Sequence, residues 1–222
     1  MKQLLITIDG PAGAGKTTVS RMLADRLSYR YIDTGALYRG IAYMAKSAEI
    51  EPDDDAALAN LCSGLDIKFI RNEKGTRLLA GETDITDNIR TPEISMLSSA
   101  VSARPVVRQY LLKIQRDMGK EKGVVFEGRD MGTVVFPDAD IKFFLDASPE
   151  IRSFRRYKEL AARKSSQTLE EVETDIRHRD KNDSTRAAAP LKPAEDAIVI
   201  DATNLSAEDV VGQIEAHIKN IL

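Results

Sequence analysis

The chain has 222 residues, with 32 lysines and arginines against 35 aspartates and glutamates, a formal charge of −3 and 42% hydrophobic residues. That is globular composition at a length that buries roughly 70% of the unfolded surface, so one sizeable core without disulfides or structural metals is expected. The slightly acidic balance argues against bulk attraction to nucleic acid or an anionic membrane.

Cys62 has no partner for an internal disulfide, which fits a reducing compartment and a packing role. The longest apolar run, Ile41–Ala45, falls far short of the roughly 18 residues of a membrane-crossing helix. Met1–Asp9 starts with a cation but runs at once into Asp9, so it reads as a strand and not as a signal peptide; a cytoplasmic protein is expected.

In chain order, Leu4–Asp9, Tyr29–Asp33, Gly123–Glu127, Ile141–Asp146 and Ala197–Asp201 are short, apolar and rich in β-branched or aromatic residues, and most end in an acid. They read as buried parallel strands. Helical stretches with start signals lie between them: Thr18–Ala24 after the first strand, Val106–Met118 behind Pro105, Ile151–Arg163 behind Ser148-Pro149, and Val210–Leu222 behind Ser206. Strands alternating with helices imply an α/β fold with a parallel sheet. Leu65–Ile70 and Thr76–Ala80 flank the turn-rich Arg71–Gly75, which predicts an inserted β-hairpin, and the polar Ala161–Thr168 stretch predicts a mobile loop over a site.

Behind the first strand, Gly10-Pro11-Ala12-Gly13-Ala14-Gly15-Lys16-Thr17 matches the phosphate-loop pattern G-x-x-x-x-G-K-[ST] at every fixed position, and Thr18 continues into a helix. The glycines let backbone N–H groups turn toward phosphate oxygens, and the helix N-terminus adds partial positive charge at the same point. Lys16 supplies a point charge for the β and γ phosphates, and the Thr17 hydroxyl suits Mg²⁺, which takes few protein oxygens beside water and phosphate. A nucleoside triphosphate site follows.

A guanine-reading Asn-Lys-x-Asp segment is absent, which argues against a GTP switch; His178-Arg179-Asp180 is followed five residues after the aspartate by Thr185, not Asn, which argues against a protein-kinase catalytic loop. His178 and His217 are too far apart in sequence to suggest a shared metal site. Arg39, Arg108, Arg129, Arg152, Arg155, Arg156, Arg179 and Arg186 lie on segments that a parallel sheet brings to its carboxyl edge, where ligands of open α/β sheets bind.

The loop with its flanks, Ile8–Thr18, then Asp33-Thr-Gly-Ala-Leu-Tyr-Arg39, then Gly128-Arg-Asp-Met-Gly-Thr-Val-Val-Phe-Pro137, then Arg179 through Arg186 with Ala-Ala-Ala-Pro190, closely resemble the bacterial cytidylate kinases, within the P-loop nucleoside monophosphate kinases, over essentially the whole chain. The resemblance implies one kinase domain over residues 1–222 with a five-stranded parallel sheet flanked by helices, a nucleoside-monophosphate-binding insertion at about 62–95 and a short lid at about 152–168. It implies transfer of the γ-phosphoryl group of ATP to CMP or dCMP with Mg²⁺, by a monomer that uses neither nucleic acid nor membrane.

The same resemblance places ATP on Gly10, Pro11, Ala12, Gly13, Ala14, Gly15, Lys16, Thr17 and Thr18, and the acceptor on Thr34, Arg39, Ser99, Arg108, Arg129, Asp130, Arg179, Asp183 and Arg186. Arg39 and Arg129 are then clamps on the acceptor phosphate, Ser99, Arg108, Asp130 and Arg186 face cytosine, and Arg179 with Asp183 stand at the sugar. Lys16, Arg129, Arg152 and Arg156 are implied to neutralise the transferring group. Departures are mild: Thr17-Thr18 replaces a pair that often includes Gly or Ser, and Thr34 keeps the hydroxyl of a common Ser. A carboxylate at Asp130 accepts from the cytosine amine but would face an oxygen on uracil. A kinase for another small acceptor, such as UMP or a sugar, and a nucleotide-binding module without turnover are the alternatives.

Overall fold

The computed structural model describes residues 3–73, 75–162 and 165–221. The elements run β1 (Leu5–Asp9), α1 (Lys16–Leu27), β2 (Arg30–Asp33), α2 (Thr34–Ser47), α3 (Asp55–Gly64), β3 (Ile67–Asn72), β4 (Gly75–Ala80), β5 (Thr83–Asp84), α4 (Pro92–Ser102), α5 (Pro105–Gly119), β6 (Val124–Gly128), β7 (Ile141–Asp146), α6 (Pro149–Ala162), α7 (Leu169–Thr185), β8 (Ile198–Asp201) and α8 (Ala207–Lys219). Asn88–Arg90 forms a 3-10 turn and Met131–Val135 a π-helical turn. The contacts divide the chain into two compact units, Met1–Asp33 with Met118–Leu222, and Thr34–Asp117.

The first unit is built on a five-stranded, all-parallel sheet in the order β2-β6-β1-β7-β8. Every residue of β1 and β6, at its centre, is buried, as parallel strands covered on both faces must be. Val19, Leu23 and Ala24 of α1 and Val210, Val211, Ile214 and Ile218 of α8, apolar at helical spacing, pack into one cluster with Ile6, Ile8, Val125, Phe143 and Leu145. Each such side chain contributes about 1.5–3 kcal/mol by leaving water, so this core fixes where the strands end. Asp9 lies opposite Gly128, so the segments that follow β1 and β6 leave the sheet side by side at one level.

In the second unit β3, β4 and β5 form a small antiparallel sheet. Leu37, Ile41 and Ala45 of α2 share a core with Leu58, Ile67, Leu78, Ile85, Val101 and Leu111. At Gly40 a Cβ would sit 2.6 Å from Ile67 Cδ1, so a larger residue there would require the Ile67 side chain to shift. Thr91 caps α4 by accepting from the Ile94 N–H, and Pro92 opens that helix where a missing N–H costs nothing.

The five expected strands form, each with its start within one residue of the expected position, and the hairpin forms across Arg71–Gly75 with a third, two-residue strand added. The last helix starts at Ala207 and ends at Lys219, short of Leu222, which lies outside the described residues. The helix expected to reach Arg163 is seen to Ala162, and Arg163 and Lys164 of the expected mobile loop lie outside the described residues. No helix among the described residues is long and apolar enough to cross a membrane.

Candidate active site

At the carboxyl end of β1 the chain passes through Gly10 at φ +147, Gly13 at φ +77 and Gly15 at φ +96, conformations that side chains resist. Space forbids them as well: a Cβ on Gly10 would lie 2.0 Å from the Leu145 carbonyl oxygen, and one on Gly13 2.6 Å from that of Arg152. The loop is therefore pressed against β7 and α6 and opens into α1, whose first residue is Lys16. Its Nζ donates to the Pro11 carbonyl at 2.6 Å, and the residue is only 7% exposed. Burial, with Arg129 repelling it, brings the Lys16 ammonium down to about 7.

One strand over, Glu127 near the end of β6 accepts at the same oxygen from the Thr17 hydroxyl at 2.8 Å and the Tyr31 hydroxyl at 2.7 Å. Burial, reinforced by repulsion from Asp33, pushes the Glu127 carboxyl up to about 6. These are hard oxygen donors of the kind Mg²⁺ prefers, and because Thr17 gives its proton to Glu127, the lone pairs of its hydroxyl are left for a cation. Among the described residues no group of three or more His, Cys, Asp or Glu could hold a metal by itself. The residues present fit an ion that draws most of its ligands from phosphate and water.

Asp9 ends β1 with its carboxylate turned sideways, accepting from the backbone N–H of Met131 at 2.9 Å and of Gly132 at 2.8 Å. Burial is the main cause that lifts this carboxyl to about 6, and the two amides work against it. The consequence is geometric: Asp9 fixes the turn that carries Arg129 and Asp130. Arg129 Nε donates to Asp183 of α7 at 2.9 Å, and Arg186 Nη2 donates to Asp130 at 3.4 Å. Burial opposes the Arg129 charge, but Asp183, Glu127 and Asp180 together outweigh it and raise its proton affinity. Burial alone would raise Asp183, yet Arg129, Arg179 and Arg186 together hold it below the usual carboxylate range. Three arginines gathered on Asp183 are suited to a second, dianionic ligand.

The first unit thus brings together Gly10 through Thr18, Arg129, Asp130, Arg179, Asp183 and Arg186 of the expected site. Thr34, Arg39, Ser99 and Arg108 belong to the second unit. There Thr34 and Ser99 are buried, and the Arg108 guanidinium lies 5.6 Å from the centre of the Tyr38 ring and donates to the Ser102 carbonyl at 3.2 Å. Arg152 is buried, with Nη1 donating to Asp180 at 2.6 Å and to the Ala12 carbonyl at 3.1 Å, whereas Arg156 pairs with Glu159 at 3.0 Å along α6. Asp9, Tyr31, Glu127 and Asp180 carry functions of position that the sequence reading did not assign; the available signal was only that Asp9 and Glu127 end buried strands.

The family model for cytidylate kinase matches residues 6–220. A cytidylate kinase of Geobacter sulfurreducens is 53% identical over 97% of this chain and 93% of its own, and one of Pasteurella multocida is 44% identical over 99% and 97%. Among solved structures, a shikimate kinase from Bacteroides thetaiotaomicron aligns over 98% of this chain and 99% of its own with a TM-score of 0.50 at 13% identity, a likeness of fold.

Proposed function

The chain belongs to the cytidylate kinase family, and from that premise we propose that it moves the γ-phosphoryl group of ATP onto CMP or dCMP, yielding ADP and CDP or dCDP. One observation carries the mechanism: the loop with its buried Lys16 follows β1, and Arg129 and Asp130, which pair with Asp183 and Arg186, follow the neighbouring β6 at the same level, in the register that sets Asp9 beside Gly128. Two polyanions held there are brought to in-line reach of each other.

The acceptor is already a phosphate oxygen, so no side chain need remove a proton, and the work reduces to positioning and charge neutralisation. The loop amides cradle the ATP phosphates, and Lys16 leaves the Pro11 carbonyl to bridge the β and γ oxygens. Thr17, supported by Glu127, is the protein ligand we assign to Mg²⁺, which when bound offsets negative charge on the β and γ phosphates. Arg39 and Arg129 take the acceptor phosphate, Asp130 and Arg186 with Ser99 and Arg108 take the cytosine, and Arg179 and Asp183 take the sugar. Arg156 is assigned to the transferring group from a lid over about 152–168, and about 62–95 is assigned as the acceptor-binding insertion. We extend the reading to a cytoplasmic monomer working on free nucleotides, with neither nucleic acid nor a membrane as partner.

The test is ADP production with CMP, dCMP, UMP, AMP and GMP at fixed ATP and Mg²⁺. Turnover confined to the cytosine nucleotides is expected. Equal turnover with UMP would move the reading to a broader pyrimidine kinase, and no acceptor-dependent ADP at all would leave a binding module without turnover.

A further inference from the structure

The phosphate loop is made of main chain, and something must decide which way its peptides face. In a trans planar peptide the carbonyl of one residue and the N–H of the next point in opposite directions, so holding the carbonyl on one side turns the amide to the other. The Ala12 carbonyl is held by Arg152 Nη1 at 3.1 Å, which turns the Gly13 N–H away from α6. The Ala14 carbonyl is held by Arg155 Nη1 at 3.4 Å, which does the same for the Gly15 N–H. Both cations come from one helix, α6, and both amides belong to glycines with positive φ.

The arginines are themselves anchored. Arg152, with 6% of its side chain exposed, also donates from Nε to the Ala147 carbonyl at 2.8 Å and pairs with Asp180 of α7 at 2.6 Å. Arg155 Nη2 donates to the carbonyls of Ala202 at 2.7 Å and Leu205 at 3.3 Å. A guanidinium committed in this way would have to break several hydrogen bonds to reach a phosphate. Its planar fork is suited to joining two carbonyls or a carbonyl and a carboxylate at fixed angles, which a lysine cannot do.

We propose that Arg152 and Arg155 are struts that aim the Gly13 and Gly15 amides into the phosphate site before nucleotide arrives, and that Asp180 holds Arg152 in place. All three are positioning residues; none touches the reacting atoms. The inference rests on the nucleotide-site reading above and adds to it that the anion-binding loop is preorganised by cations lying behind it, so that binding does not have to reorient peptides. It gives Arg152 a different employment from the one its resemblance to lid arginines implies.

The experiment uses MgADP, which lacks the transferred group and is therefore blind to a cation that serves only that group. Calorimetry on the full chain is expected to show the Kd for MgADP rising about tenfold in Arg152→Lys, and roughly three- to fivefold in Asp180→Asn and Arg155→Gln, as lost hydrogen bonds to charged groups would give. In the nucleotide-free protein, the Gly13 and Gly15 amide resonances should shift and exchange with solvent faster in the same variants, while thermal unfolding remains cooperative. Should Arg152→Lys fail to fold, Asp180→Asn and Arg155→Gln decide the matter. Unchanged MgADP affinity and unchanged glycine amides, with kcat reduced about a hundredfold or more, would overturn the strut and return Arg152 to the transferring group. A native chain that binds no MgADP would instead defeat the nucleotide site itself.

Discussion

The two ends of the active rim hold charge by opposite means. Behind β1 the polar groups are main-chain amides, and what specifies them is the absence of side chains: Gly10 and Gly13 leave no room for a Cβ against Leu145 and Arg152. Behind β6 the polar groups are side chains, paired as Arg129 with Asp183 and Arg186 with Asp130. A main-chain site reads only phosphate, which every nucleotide shares. A side-chain site can distinguish one base from another, because an Asp at position 130 presents acceptors alone. On the proposed reading the common task falls to the backbone and the selective one to replaceable side chains.

The sharpest break in this contrast is Lys16→Ala, which removes the loop's own buried cation. It should cut kcat by about 10³-fold or more, equivalent to about 4 kcal/mol, with thermal unfolding still cooperative; near-normal turnover in a steady-state assay would refute the role. Next comes Asp9, which joins the two regions. Its folded value of about 6 lies above the unfolded value near 3.8, so the folded state holds a proton that the unfolded chain has lost. Stability from this group is complete below about pH 4 and falls by up to about 3 kcal/mol as pH rises to 6. Denaturant midpoints at pH 4, 5 and 6 should therefore fall less steeply in Asp9→Asn than in the native chain, the residual slope coming from Glu127, whose carboxyl is raised to about 6 for the same reason. Parallel profiles would count against it.

Asp130→Asn sharpens the contrast from the selective side. The ratio of kcat/KM for CMP over UMP should fall by roughly 10- to 100-fold, about 1–3 kcal/mol, while MgATP affinity stays put. An unchanged ratio would show that the base is read elsewhere. The smallest effect serves as the control: Asp54 caps α3 by accepting from the Ala57 N–H at 2.9 Å, and Asp54→Ala should lower stability by about 1 kcal/mol without moving the CMP-to-UMP ratio.

The same division explains what could be read before any coordinates. The glycine loop was legible because its parts, the glycines that free the backbone together with Lys16 and Thr17, are covalently spaced within eight residues. The inner strands β1, β6 and β7 were legible because burial on both faces demands continuous apolar runs, whereas the edge strands β2 and β8, expected to be buried, each keep only one fully buried residue and were legible from their β-branched and aromatic residues. By contrast α7 escaped notice, since Val172, Ile176 and Asp183 are its only buried residues in 17, although its capping box at Thr168 and Glu171 was there to be read. The two-residue β5 is too short for any periodicity. The π-helical turn at Met131–Val135 has no signature of its own; the Asp9 carboxylate, 122 residues earlier in the chain than Met131, shapes it from the neighbouring strand. The residues expected at the acceptor, scattered from Thr34 to Arg186, could be gathered from sequence only through the resemblance, because no local pattern states which of them meet.

The pairing of Leu5 with Val124 and of Ile6 with Ile141 has a kinetic side. The central strand of the sheet precedes both of its neighbours, which start only at Val124 and Ile141, so it finds neither until the long intervening segment has been made. Closing so long a loop costs entropy before any contact repays it, so the rim should be among the last features to appear during refolding. The Thr34–Asp117 segment, whose apolar cluster draws only on its own residues, has no such wait imposed on it. A nascent chain halted short of Val124 would expose both edges of β1, an invitation to self-association that a cell must answer with chaperones or swift elongation.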